Sequence, residues 1–162
     1  RPIILNHVGP ATFDKRYLPL LALLRPGDVF AVNAYFKTQG VELFSFKTLG
    51  IEFHVPWPKW FVFPAKSWLF LSPDYEKLRR QIAGRGVDLW ILEVQAEPYI
   101  RQVADANAGD YFYKSEDVIN TVSYLRSTGV KSIGLWGAHF WQYREKFGDD
   151  SWMRAVKGIV NQ

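Results

Sequence analysis

Cysteine is absent from the 162 residues, which excludes disulfides, thiol catalysis and thiolate metal sites in this segment. Histidine is scarce, at 3 residues. His7, His54 and His139 show no ligand spacing of the His-Glu-x-x-His kind, so neither a metal nor another cofactor is expected. No apolar run approaches the roughly 18 to 20 residues that span a bilayer. No Gly-x-Ser-x-Gly elbow and no phosphate-cradling P-loop occurs, which removes the commonest serine hydrolases and nucleotide-binding folds. Charge of one sign is also wanting: 20 Lys and Arg stand against 16 Asp and Glu, a net +4. The nearest thing to a basic cluster is Lys77, Arg79, Arg80 and Arg85, on an amphipathic helical stretch where a solvated face explains it. A nucleic-acid partner would need a basic stripe with a reading element, and none is present. The chain begins Arg1-Pro2-Ile3-Ile4, without Met or a signal-peptide pattern, and reads as a strand from the start, so an upstream portion is expected.

What is abundant is apolar and aromatic character, 48% and 17% of the chain. Four times a short β-rich run is followed by a stretch of helical period. The strands fall at Pro2 to Asn6, Asp28 to Asn33, Val87 to Val94 and Ser132 to Trp136, each apolar on both parities, as parallel strands covered on two faces are. Helices are predicted at Ala11 to Leu24, from a Ser72 N-cap with Pro73 at the first helical position to Gly84, at Ser115 to Ser127, and at Asp150 to Val160. Such alternation implies parallel βαβ units with right-handed crossovers. Four units could make an open doubly wound sheet or half of a barrel. The first turn, Asn6-His7-Val8-Gly9-Pro10, lacks the Gly-rich fingerprint of the open sheet. Each strand instead ends in polar or aromatic residues, where barrels build their active sites. The expected architecture is therefore α/β, the C-terminal half (strands 5 to 8) of a TIM (β/α)8 barrel, with residues 1–162 as a single partial barrel domain.

The connection at about 36–64 is long and aromatic, carrying Phe44, Phe46, Phe53, Trp57, Trp60, Phe61 and Phe63. Sugar stacking fits it, and so does a loop that packs its own aromatics under the barrel rim. An interfacial membrane contact is the third reading.

The most informative segment is Leu89-Trp90-Ile91-Leu92-Glu93-Val94-Gln95-Ala96-Glu97-Pro98-Tyr99. Strand alternation places Leu89, Ile91 and Glu93 on one face and Trp90, Leu92 and Val94 on the other. If the Trp90 face packs on the helices, Glu93 points into the barrel at its catalytic end. A carboxylate there is costly unless hydrogen-bonded or used. Glu97, before Pro98, is expected extended and in the loop, binding substrate or holding the loop.

These residues resemble the seventh-strand motif of retaining glycoside hydrolases of the (β/α)8 clan, particularly its cellulase-like and β-galactosidase-like members. The resemblance implies that Glu93 is the catalytic nucleophile. Val29-Phe30-Ala31-Val32-Asn33-Ala34-Tyr35 is similar to that clan's sixth strand, which implies Tyr35, and less directly Asn33, beside the nucleophile. Gly134-Leu135-Trp136-Gly137-Ala138-His139-Phe140-Trp141 is similar to its eighth strand, whose Trp walls the sugar pocket, here either Trp136 or Trp141. Trp141 to Trp152, with Arg144 and Gly148-Asp149-Asp150, is similar to the closing loop of such barrels. Gln95, Glu97 and His139 would bind sugar hydroxyls.

The clan's acid/base Glu follows an Asn on the fourth strand, and no Asn-Glu pair occurs in this sequence. The resemblance thus implies a missing N-terminal half-barrel, on the same or a separate chain, and an inactive fragment without it. The expected partner is an oligo- or polysaccharide substrate with β-linkages. The alternative is a non-catalytic half-barrel module that binds polysaccharide or assembles with a partner chain.

Overall fold

The structure is a computed structural model that describes residues 1–7, 17–34, 42–48, 51–56, 74–98 and 113–162. It is a mixed α/β fold centred on an all-parallel sheet of four strands: β1 (Ile4–His7), β2 (Val29–Ala34), β5 (Asp88–Gln95) and β6 (Ser132–Trp136). The strands lie in the order β1-β2-β5-β6, every neighbouring pair parallel, so the chain moves across the sheet in one direction without reversing. A doubly wound sheet reverses at a switch point. The order seen here is compatible with half of an α/β barrel.

Helix α1 (Tyr17–Leu21) precedes β2, and α2 (Tyr75–Ala83) precedes β5. The predicted Ser72 cap and Pro73 lie outside the described residues, as do residues 11–16 of the first predicted helix. The cap of α2 is Asp74, whose carboxylate accepts the Lys77 N–H at 2.8 Å and so satisfies one of the donors left open at a helix start. Helix α3 (Ser115–Ser127) has the predicted bounds, and it is stopped at Gly129, whose φ of +83° a side-chained residue rarely adopts. Beyond β6, the stretch expected to be a closing loop folds as α4 (Ala138–Lys146), followed by α5 (Ser151–Val160). Arg144 donates through Nε and Nη2 to one oxygen of Asp149, and Ser151 occupies the other through its N–H and hydroxyl. Burial pushes the Asp149 carboxyl up, but Ser151 and Arg144 outweigh it and hold the group below the usual range. That knot joins α4 to α5.

The long aromatic connection holds an antiparallel hairpin, β3 (Glu42–Thr48) and β4 (Ile51–Pro56). Its register sets Phe46 opposite Phe53 and Lys47 opposite Glu52. Trp57, Trp60, Phe61 and Phe63 lie outside the described residues.

One hydrophobic cluster joins Phe30, Val32 and Ala34 of β2 with Leu89, Ile91, Val94 and Ala96 of the β5 segment. The same cluster takes in Leu78 and Ile82 from α2, Val122 and Leu125 from α3, and Phe140, Trp152 and Ile159 from the last two helices. Burying each such side chain contributes about 1.5 to 3 kcal/mol. It is the Leu89/Ile91 face, then, that meets the helices, and Trp90 lies on the other face. This reverses the orientation predicted for β5.

The candidate functional site at the carboxyl ends of β2, β5 and β6

With strict alternation, Glu93 would share the helix-covered face of Leu89 and Ile91. It does not, because β5 carries one extra residue. Against β2, Val32 pairs with Ile91 but Asn33 pairs with Glu93. Against β6, Ile133 pairs with Ile91 and Leu135 with Val94. The surplus residue is a β-bulge at Leu92, and it moves everything after it to the opposite parity. Val94 and Ala96 thereby rejoin the core, while Glu93 and Gln95 share the parity of Trp90. Gly134 admits the bulge: a Cβ there would lie 2.3 Å from the Leu92 carbonyl oxygen, a backbone atom that cannot step aside cheaply.

Glu93 is half-buried and accepts a hydrogen bond from Asn33 Nδ2 at 2.8 Å. Asn33 is itself buried, and its Oδ1 has no hydrogen-bond partner among the described residues. The amide turns its nitrogen, the end that can donate, toward Glu93. The result is an oriented acid with an open acceptor beside it. Tyr35, the other expected neighbour of Glu93, lies outside the described residues.

One strand further, Gln95 pairs in register with Trp136. The segment from Gln95 to Glu97 is tied down at every carbonyl. Tyr113 donates its hydroxyl to Gln95 O at 2.6 Å, Trp141 Nε1 donates to Ala96 O, and Gln95 Nε2 donates to Glu97 O at 3.2 Å. Gln95 is 1% exposed, so its amide serves this staple and is not presented to a ligand. The two candidate tryptophans separate in the same way. Trp141 belongs to the core, whereas Trp136 is 47% exposed. The indole N–H of Trp136 donates to Glu97 Oε1 at 3.2 Å, and His139, exposed in the first turn of α4, brings Nε2 to 3.5 Å from Glu97 Oε2. Burial pushes the Glu97 carboxyl up, with His139 and the Trp136 N–H pulling the other way without offsetting it.

Glu93, Asn33, Glu97, Trp136 and His139 thus gather at the carboxyl end of the sheet, whereas Gln95 and Trp141 are consumed in supporting it. Sequence reasoning had missed Tyr113 and Gly137. Gly137 has a φ of +133°, and a Cβ there would fall 2.9 Å from Glu97 Cβ. A glycine directly after a strand end was the available signal. Among the described residues no cluster of acids and histidines could hold a metal ion, and no helix is long and apolar enough to cross a membrane. No protein-family model, curated protein or solved structure matches the chain.

Proposed function

We propose that this chain is the nucleophile-bearing part of a retaining β-glycosidase of (β/α)8 architecture, with β1, β2, β5 and β6 as barrel strands 5 to 8. The observation that carries the reading is the Asn33–Glu93 hydrogen bond at 2.8 Å, at the carboxyl end of parallel strands and on the face away from the helices. A nucleophilic carboxylate must be aimed at the reacting carbon, and the amide N–H donated by Asn33 to one oxygen fixes its direction. In the first step Glu93 attacks the anomeric carbon, the glycosidic C–O bond breaks, and the departing oxygen takes a proton from an acid/base carboxyl. In the second, water deprotonated by that group displaces Glu93.

The pair of carboxyls in such an enzyme stands about 5 to 5.5 Å apart. Glu97 does not supply the second one in this reading. Glu97 lies past the end of β5 and is already engaged, Oε1 by the Trp136 indole N–H and Oε2 by His139 at 3.5 Å. The acid/base therefore comes from outside these 162 residues, since they hold no Asn-Glu pair. The exposed indole of Trp136 supplies a stacking face for a pyranose ring, whose C–H groups suit an aromatic surface.

The test is covalent trapping. The natural full-length protein, treated with a 2-deoxy-2-fluoro β-glycoside bearing an activated leaving group, should carry the label on Glu93 by peptide mass mapping. Glu93→Gln should not label and should lose about three orders of magnitude or more in kcat. Asn33→Ala should lower kcat about 10- to 100-fold, the worth of a hydrogen bond to a charged group. A label on another carboxylate, or turnover that survives Glu93→Gln, would overturn the assignment. The exposure of Trp136 also favours a second reading, a non-catalytic polysaccharide-binding module. Sugar binding abolished by Trp136→Ala, in a full-length protein that never labels, would select it.

A further inference from the structure

Trp136 is a large aromatic at the end of β6, nearly half exposed, and an indole in that position normally leaves its N–H to water. Here the N–H is donated to Glu97, whose side chain is only 13% exposed. Withdrawing a carboxylate from water is costly, so its place calls for a reason. That place is set from beneath: Tyr113 and Trp141 hold the carbonyls before it, and Ala96 N–H is paired with Trp136 O at 2.9 Å. On the far side the chain passes Glu97 only because Gly137 has no Cβ to collide with it. Glu97 is thus the fixed partner and Trp136 the adjustable one.

We propose that Glu97 is a positioning residue for Trp136. Its Oε1 locks the indole so that the ring face is already turned outward before a sugar arrives, and His139 sits against Oε2 as the second support. This deepens the carbohydrate reading above and rests on it for the identity of the ligand, though not for the locking itself. The terminal torsion of a Trp side chain is otherwise broad. Fixing it in advance removes an ordering penalty that binding would have to meet, which corresponds to about 3- to 10-fold in affinity.

The experiment compares near-UV circular dichroism of the wild-type protein, Glu97→Ala and Glu97→Gln, each with and without Trp136→Phe. The difference spectrum isolates Trp136 from the other tryptophans. It should be strong in the wild type, collapse in Glu97→Ala and return in Glu97→Gln, which keeps an acceptor oxygen. Affinities for cellohexaose and mannohexaose, measured by titration calorimetry, should fall 3- to 10-fold in Glu97→Ala and recover in Glu97→Gln. An unchanged Trp136 difference spectrum in Glu97→Ala overturns the proposal. Should that variant fail to fold, the wild type decides alone: the Trp136 Nε1–H resonance must be protected from solvent exchange, and exchange at the rate of free indole overturns it. If neither oligosaccharide binds the wild type while the difference spectrum still collapses, the locking role stands and the carbohydrate reading falls.

Discussion

Asp28 and Glu97 stand at opposite ends of the same sheet, one where β2 begins and the other just past the end of β5, and both are largely withdrawn from water. Asp28 is matched in full. Its two oxygens accept the N–H groups of Ile3 and Arg25, each at 2.8 Å, tying β1 and the turn after α1 to the start of β2. Those two backbone donors, Arg25 first, hold its carboxyl below the ordinary value against the opposing effect of burial. Glu97 has one indole N–H at 3.2 Å, an Oε2 that faces His139 Nε2 at 3.5 Å with no hydrogen bond among the described residues, and a carboxyl pushed up by burial. The difference teaches where this fold invests in stability and where it leaves something open. An acid that only holds the chain together is met by backbone donors, whereas the acid at the carboxyl end meets two side chains, Trp136 and His139, that are themselves open to solvent.

The contrast is broken most severely by Gly134→Ala. The new Cβ would meet the Leu92 carbonyl and force the bulge to move, which should cost about 2 to 3 kcal/mol in denaturant unfolding, or prevent folding. Next comes Asp28→Ala, which strands two backbone donors and should lower Tm well below that of a control at exposed Glu116. Because the Asp28 pKa is depressed on folding, its contribution is complete above the unfolded-state value and disappears as pH falls through the folded-state value. The Tm difference between wild type and Asp28→Asn should therefore shrink on acidification. A difference that is constant with pH would sink the account of Asp28 as a charged staple.

Trp141→Phe should cost about 1 to 3 kcal/mol, since it leaves the buried Ala96 carbonyl without its donor. The smallest effect is expected for Glu97→Gln, within about 1 kcal/mol of wild type at pH 7 and on the stable side. A raised pKa means that the folded state holds the proton more tightly than the unfolded chain. Wild-type stability relative to Glu97→Gln should thus rise as pH falls through the folded-state pKa. Glu97→Gln costing more than Trp141→Phe would erase the distinction between the two ends of the sheet.

Much of the frame was legible because its signals are local. Ser132–Trp136 and Ser115–Ser127 were bounded by apolar runs and by Gly129 and Gly137, and the structure has them at those positions. The hairpin was carried by alternation on both sides of Leu49-Gly50, Phe44-Ser45-Phe46-Lys47 and then Ile51-Glu52-Phe53-His54, a pattern that a reading of loop length alone passes over. Helix α4 escaped because it starts at Gly137 without a capping side chain, and because its buried Phe140 and Trp141 are adjacent and make no clear helical period. The face of Glu93 was not legible for a different reason. Parity along β5 depends on how many residues of β5 oppose β2 and β6, and only the glycine at 134, in another strand, hints that one is surplus. Of the site itself, Glu93, Asn33 and Trp136 were readable as strand-end residues. The supporting roles of Gln95 and Trp141 depended on contacts between distant parts of the chain, Tyr113 to Gln95 and Trp141 of α4 to Ala96.

The bulge at Leu92 also makes β5 unusually sensitive to changes in chain length. Removing a single residue there would straighten the strand and exchange the faces of Glu93, Val94, Gln95 and Ala96 together, driving two polar side chains into the core and turning two apolar ones out. In this strand a one-codon deletion acts as four substitutions. The one-residue spacing between Ile91 and Glu93 therefore matters more to this strand than which side chain stands at position 92.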